Sequence, residues 1–227
     1  DNFKKLLNIS ENFWQKKDLP PDKFDFFKKR CLFFYKNKTQ ERINLYFKKF
    51  SRSDSKKNIN SIKMPLISSL LNKIDWDELS DGIPVRFHGD FHFENILFDD
   101  KNCNFYFLDW RQDFAGIMNY GDIYYDFAKL MHGLIVNHEI INKNLFSIDE
   151  KVRDINFEFL RKNSLIECQN YFENWITSRK FNLRKIYLLT AIIYLNIAAL
   201  HHKPYCHLLF NLGKQMLYKY LNIKLIK

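Results

Sequence analysis

Apolar residues recur at helical spacing through the first fifty positions, with Phe3, Leu6 and Leu7, then Phe24 and Phe27, then Ile43, Tyr46 and Phe47. Pro20 and Pro21 interrupt the pattern, which predicts two or three helices. The stretch 51–60, rich in Ser, Asp, Lys and Asn, reads as a loop, and 64–74 reads as a further helix. The period then changes. Residues 85–87, 96–98 and 105–108 are short apolar runs, and the last two bracket the turn-rich segment 99–104, which predicts a β-hairpin. Gly121 and Asp122 open a helix to about His132, because an Asp side chain accepts from the free N–H groups of a first turn. Helical patterns over 160–177, 183–200 and 208–221 follow, and no internal repeat interrupts them. The expected fold class is mainly α with a small central β-hairpin.

Composition narrows the picture. The 227 residues are 46% hydrophobic and 17% aromatic, with 23 Phe and 12 Tyr, enough for a dense core and too apolar for a disordered chain. A net charge of +10 raises the possibility of a polyanion partner. Because Lys, Asn, Ile and Phe are over-used together, a drift of overall composition explains the balance better, and nucleic acid is not the expected partner. Cys31, Cys103, Cys168 and Cys206 stand far apart with no C-x-x-C pair, which argues against a zinc site or disulfide framework and for a reducing cytoplasm. No signal peptide or membrane span is expected, since the apolar run 188–200 is broken by Asn196 and is too short to cross a bilayer. The sequence opens on Asp1 instead of Met, so further sequence upstream is expected.

The chemistry concentrates in His88-Gly89-Asp90-Phe91-His92-Phe93-Glu94-Asn95 and in the hairpin that ends on Asp109, the layout of a kinase catalytic loop and metal-binding strand. A hydroxyl attacking a γ-phosphate must shed its proton, and a carboxylate within hydrogen-bond reach can orient it and accept that proton; Asp90 is placed for this. Asn95, five residues on, offers a neutral amide oxygen to Mg²⁺, and Asp109 offers an anionic one. The hairpin is what brings Asp109 back beside Asn95 across fourteen residues.

The runs Phe87-His88-Gly89-Asp90, Asn95-Ile96-Leu97, Leu108-Asp109-Trp110, Gly121-Asp122 and Asp126-Phe127-Ala128-Lys129-Leu130 resemble the phosphotransferase family that includes aminoglycoside kinases and choline kinases. Gly89 stands where the protein-kinase loop has Arg, as in that family. The resemblance is specific over about 83–133, and 35–42 is similar to the helix by which the family's chain enters its helical lobe. It implies the C-terminal lobe of a protein-kinase-like fold, with Asp90 and His88 in the catalytic group, His88 holding the loop, Asn95 and Asp109 binding the metal and nucleotide, and His92 and Asp126 supporting the loop. It also implies ATP and Mg²⁺ as cofactors and a small-molecule hydroxyl as acceptor. Residues 1–81 contain no glycine and read as helix, so the family's N-terminal β-lobe, with its glycine-rich loop and strand lysine, is expected to be missing from this chain and to act as a partner.

The chain is thus expected to divide as one kinase-like lobe over 1–227, with a helical opening segment (1–80), the catalytic loop, metal hairpin and following helix (81–133), and a helical substrate-side bundle (134–227). Its acceptor would be a sugar, amino sugar or amino alcohol; the Lys excess favours a neutral or anionic compound, such as a sugar or sugar phosphate used in cell-surface polysaccharide synthesis. A catalytically silent kinase-like binding module and a basic nucleic-acid-binding helical domain are the competing classes. Scattered histidines such as His132, His138, His201, His202 and His207 read as ordinary polar or core residues. Tyr171 and Trp175, with Glu167 or Glu173, could cage a cationic substrate, although such spacing more often marks core. Arg111 and Asp113 suggest either a phosphate-steering pair or an exposed ion pair, the ion pair being the default, and Trp110 suggests a residue packed beneath the metal strand.

Overall fold

A computed structural model describes residues 1–223. Helices α1 (Asn2–Ser10), α2 (Pro21–Leu32) and α3 (Lys38–Lys49) account for the first fifty residues, and a π-helical stretch, Phe33–Asn37, joins α2 to α3. A hairpin of β1 (Lys57–Ile59) and β2 (Ile62–Met64) leads to α4 (Ile67–Leu71), α5 (Trp76–Ser80) and β3 (Pro84–Val85). The loop 86–95 follows, then β4 (Ile96–Asp99), β5 (Asn104–Phe107), β6 (Gly121–Asp122) and α6 (Ile123–Ile135). The remainder is α7 (His138–Asn142), β7 (Phe146–Glu150), β8 (Asp154–Phe159), α8 (Asn163–Ser178), α9 (Leu183–Ala198) and α10 (Tyr205–Asn222).

The expected β4–β5 hairpin forms, with Ile96 opposite Phe107 and Asp99 opposite Asn104. The mainly α expectation holds, and beside the β4–β5 hairpin and the β3–β6 pair the fold adds a four-stranded sheet of order β2-β1-β8-β7. Its β1 and β8 pair in parallel and its other neighbours are antiparallel. The polar stretch 51–60 therefore ends in a strand: Asn60 and Ser61 both have positive φ, the geometry of a two-residue hairpin turn, and Ile59 and Met64 turn their side chains into the core. The helix expected over 64–74 shortens to α4 because Met64 belongs to β2 and Pro65 follows it.

Helix α9 lies at the centre, apolar on almost all sides, with Ile186, Leu189, Ile192 and Leu195 buried against α6 and α10. Across α3 and α10, the rings of Tyr46 and Phe210 stack at 4.1 Å. Trp175, a possible cage residue, is instead buried among Phe127, Phe172 and Phe181, while Tyr171 stays exposed and Glu173 accepts from Tyr187, so the two rings do not face one common site. Among the described residues no helix is long and apolar enough to cross a membrane, and all four cysteines are free.

Candidate active site

The loop 86–95 is set against α6 by the strands that precede each. β3 pairs with β6, Val85 opposite Gly121, so the chain leaving β3 meets the first turns of α6. Asp122 caps that helix: its buried carboxylate accepts from Tyr124 N (3.1 Å), Ile83 N (3.0 Å) and the Tyr35 hydroxyl (2.7 Å). One turn on, the fully buried Asp126 accepts from the backbone N–H of His88 and of Gly89, both at 2.7 Å, and from Trp14 Nε1 at 2.9 Å. Burial pushes the Asp126 carboxyl up to about 6, while these donors favour its charged form.

Gly89 has φ +85°, and a Cβ there would lie 2.4 Å from Arg111 Cβ and 2.7 Å from the Phe87 ring. The close approach has a purpose. Arg111 N donates to His88 O at 2.8 Å and Leu108 N to Asn95 O at 2.8 Å, so Asp109 and Trp110 are pinned between the two ends of the loop. The buried His88 ring stacks on Trp110 at 4.8 Å and accepts from Asp90 N through Nδ1 (3.2 Å). Burial lowers its pKa to about 4, which keeps the imidazole neutral and able to accept.

These anchors leave the Asp90 carboxylate free to meet three polar side chains. Lys129 Nζ lies 2.6 Å from Oδ1, while His92 Nε2 and Asn95 Nδ2 each lie 3.2 Å from Oδ2. Burial alone would raise the Asp90 pKa, but the His92 hydrogen bond and the Lys129 charge outweigh it and hold the group well below the usual carboxylate range. His92 bridges to Glu94 at 2.6 Å, and its two carboxylate partners raise it to about 9 against the opposing effect of burial.

Each residue expected in the site has a definite place. Asp90, His92 and Asn95 come together around one carboxylate, and His88 and Asp126 sit behind them as supports. Asp109 is exposed, has φ +52° and makes no side-chain hydrogen bond or ion pair among the described residues. Asn95 donates through Nδ2 to Asp90 O (3.0 Å) as well as to the carboxylate, which directs its amide oxygen elsewhere. An uncommitted carboxylate and an amide oxygen are hard donors that suit Mg²⁺ completed by phosphate and water oxygens. No group of three or more His, Cys, Asp or Glu suited to a metal occurs among the described residues.

Lys129 is the member that sequence reasoning missed. It belongs to the run that carries the family resemblance, and the available signal was its position three residues after Asp126 on one helix face. The ion pair expected of Arg111 and Asp113 does not form. Arg111 lies over the rings of Phe34 and Tyr125, and Asp113 accepts from Gly116 N.

Residues 61–140 match the model of the family described as Phosphotransferase enzyme family (APH). The match spans β2 to α7 and so contains Asp90, Asn95, Asp109, Asp126 and Lys129. The resemblance to the aminoglycoside and choline kinase type is thereby borne out over this segment. No curated protein and no solved structure matches the chain.

Proposed function

We propose that this protein is a phosphotransferase that moves the γ-phosphate of ATP to a hydroxyl of a small molecule. The observation that carries the reading is the Asp90 carboxylate, held by Lys129, His92 and Asn95 on a loop whose two ends clamp Asp109. A carboxylate this acidic is a weak base, so Asp90 chiefly orients the attacking hydroxyl, and it takes the proton late, as the bond to phosphorus forms. Lys129 and His92 fix its two oxygens and leave one direction open toward the acceptor. His88 and Asp126 act as positioning residues, because neither side chain touches the Asp90 carboxylate. Asn95 and Asp109 would hold Mg²⁺, which would supply charge neutralisation for the phosphate group being transferred.

Residues 1–81 form helices and the β1–β2 hairpin. On this reading a lobe from outside these residues adds cover for the adenine end, while the metal and the phosphates bind this chain on their own. The test is transfer of labelled phosphate from ATP to a panel of hydroxyl compounds by the purified protein. Asp90→Asn, nearly the same size, should abolish transfer with the fold intact; transfer that persists would remove Asp90 from the chemistry.

A further inference from the structure

A cavity of about 230 Å³ opens on Asp90, and four cationic side chains line it: Lys38, Arg42, Arg111 and Lys129. Asp90 is the one carboxylate in its wall, and Lys129 is already paired with it. Lys38, Arg42 and Arg111 make no ion pair among the described residues. Aromatic faces hold two of them in place without cancelling their charge: Lys38 Nζ lies 4.2 Å from the centre of the Phe34 ring, and Arg111 Cζ 5.6 Å from the same ring. Lys38 and Arg42 stand one turn apart on α3, where like charges repel. Burial first, then the charges of Arg111, Arg42 and Lys129, pull the Lys38 ammonium down to about 8. On the α9 wall of the same cavity, Asn196 has a buried Oδ1 with no donor among the described residues. That atom suits a ligand hydroxyl.

We propose that this cavity receives the phosphate acceptor, and that the acceptor is a hydroxyl compound bearing an oxyanion group, a phosphate or carboxylate bound by Lys38, Arg42 and Arg111. The inference rests on the phosphotransferase reading and deepens it, replacing a broad class of alcohols with anionic ones. It predicts against polycationic amino sugars, which would meet three unpaired positive charges.

The same oxyanion chemistry could come from the nucleotide's own phosphates, so the experiment separates the two sources. Inorganic phosphate is titrated calorimetrically into the full chain at low salt, first alone and then with saturating Mg·ADP, for the wild type, Lys38→Gln and Arg42→Gln. The expected result is phosphate binding that each substitution weakens roughly tenfold or more, the loss of one charge-assisted contact, and that persists beside ADP. Phosphate that fails to bind, or binds equally to both variants, overturns the anion site. Phosphate displaced by ADP assigns the cations to the nucleotide and overturns the acceptor assignment. A chain that binds phosphate here but no nucleotide loses the phosphotransferase reading, and the acceptor assignment with it, while the anion site stands. Acetylation of Lys38 in the wild type, followed by mass spectrometry, needs no variant to fold. Phosphate should slow it, and an unchanged rate counts against the site.

Discussion

Lys129 Nζ lies 2.6 Å from Asp90 Oδ1, joining the middle of α6 to the loop in front of it. Three residues earlier on the same helix, Asp126 holds the back of that loop through the amides of His88 and Gly89. One helix face thus fixes both the backbone and the carboxylate of the loop.

Lys129→Met should raise the pKa of Asp90, because burial is then opposed by the hydrogen bonds of His92 and Asn95 without the lysine charge. Carbon-detected NMR of the Asp90 carboxyl would show the midpoint moving up toward the ordinary range. An unmoved midpoint would mean that the ion pair does not control this group.

Gly89→Ala should destabilise the fold by at least about 1–2 kcal/mol from the left-handed backbone alone. The contact of the new methyl with Arg111 and Phe87 adds to this. Denaturant unfolding measures the loss, and a change within error would contradict the packing described for the loop.

Asp126→Asn leaves one side-chain oxygen where two receive three N–H donors. The amide NH₂ then faces at least one buried donor, a loss of about 1–3 kcal/mol. Trp14 reports the change, since its indole N–H loses or shares its acceptor, and altered tryptophan fluorescence should accompany the lower unfolding midpoint.

His132 is half-buried with Nδ1 enclosed and unpartnered, and desolvation, then the charges of Lys129 and His92, lowers it from 6.5 to about 3. Its folded pKa lies below its unfolded value, so the unfolded chain takes up a proton that the folded chain excludes. Stability present above pH 6.5 is lost as pH falls toward 3, by about 1.4 kcal/mol per unit. His88, lowered to about 4, acts in the same direction. Urea unfolding between pH 6.5 and 4.5 should show a slope that His132→Leu reduces by about one proton; equal slopes would contradict the assignment.

Much of this was legible in the sequence because it is local. Helical periodicity indicated two or three helices over the first fifty residues and set α8–α10 to within a few residues, the Asp122 cap marked the start of α6, and the turn-rich segment 99–104 indicated the β4–β5 hairpin. The spacing from His88 to Asn95 and the return to Asp109 placed the candidate site. What stayed hidden depends on distant pairing. β1 acquires strand character by lying beside β8, nearly a hundred residues away, and its Lys-Asn-Ile sequence has no strong strand signal of its own. The role of Lys129 was hidden for a similar reason. A buried lysine on an apolar helix reveals its purpose only when the facing carboxylate is known. The basic cavity draws Lys38, Arg42, Arg111 and Lys129 from three separate parts of the chain.

The most direct test of the central claim is binding of Mn²⁺·ATP to the full chain, followed by electron paramagnetic resonance, for the wild type and Asp109→Ala. Mn²⁺ takes the oxygen ligands that Mg²⁺ takes. The account predicts that the wild type binds the complex and that Asp109→Ala weakens it by about tenfold or more, as expected for removing an anionic ligand. Equal binding by both proteins, or none by the wild type, would contradict a metal–nucleotide site at Asn95 and Asp109.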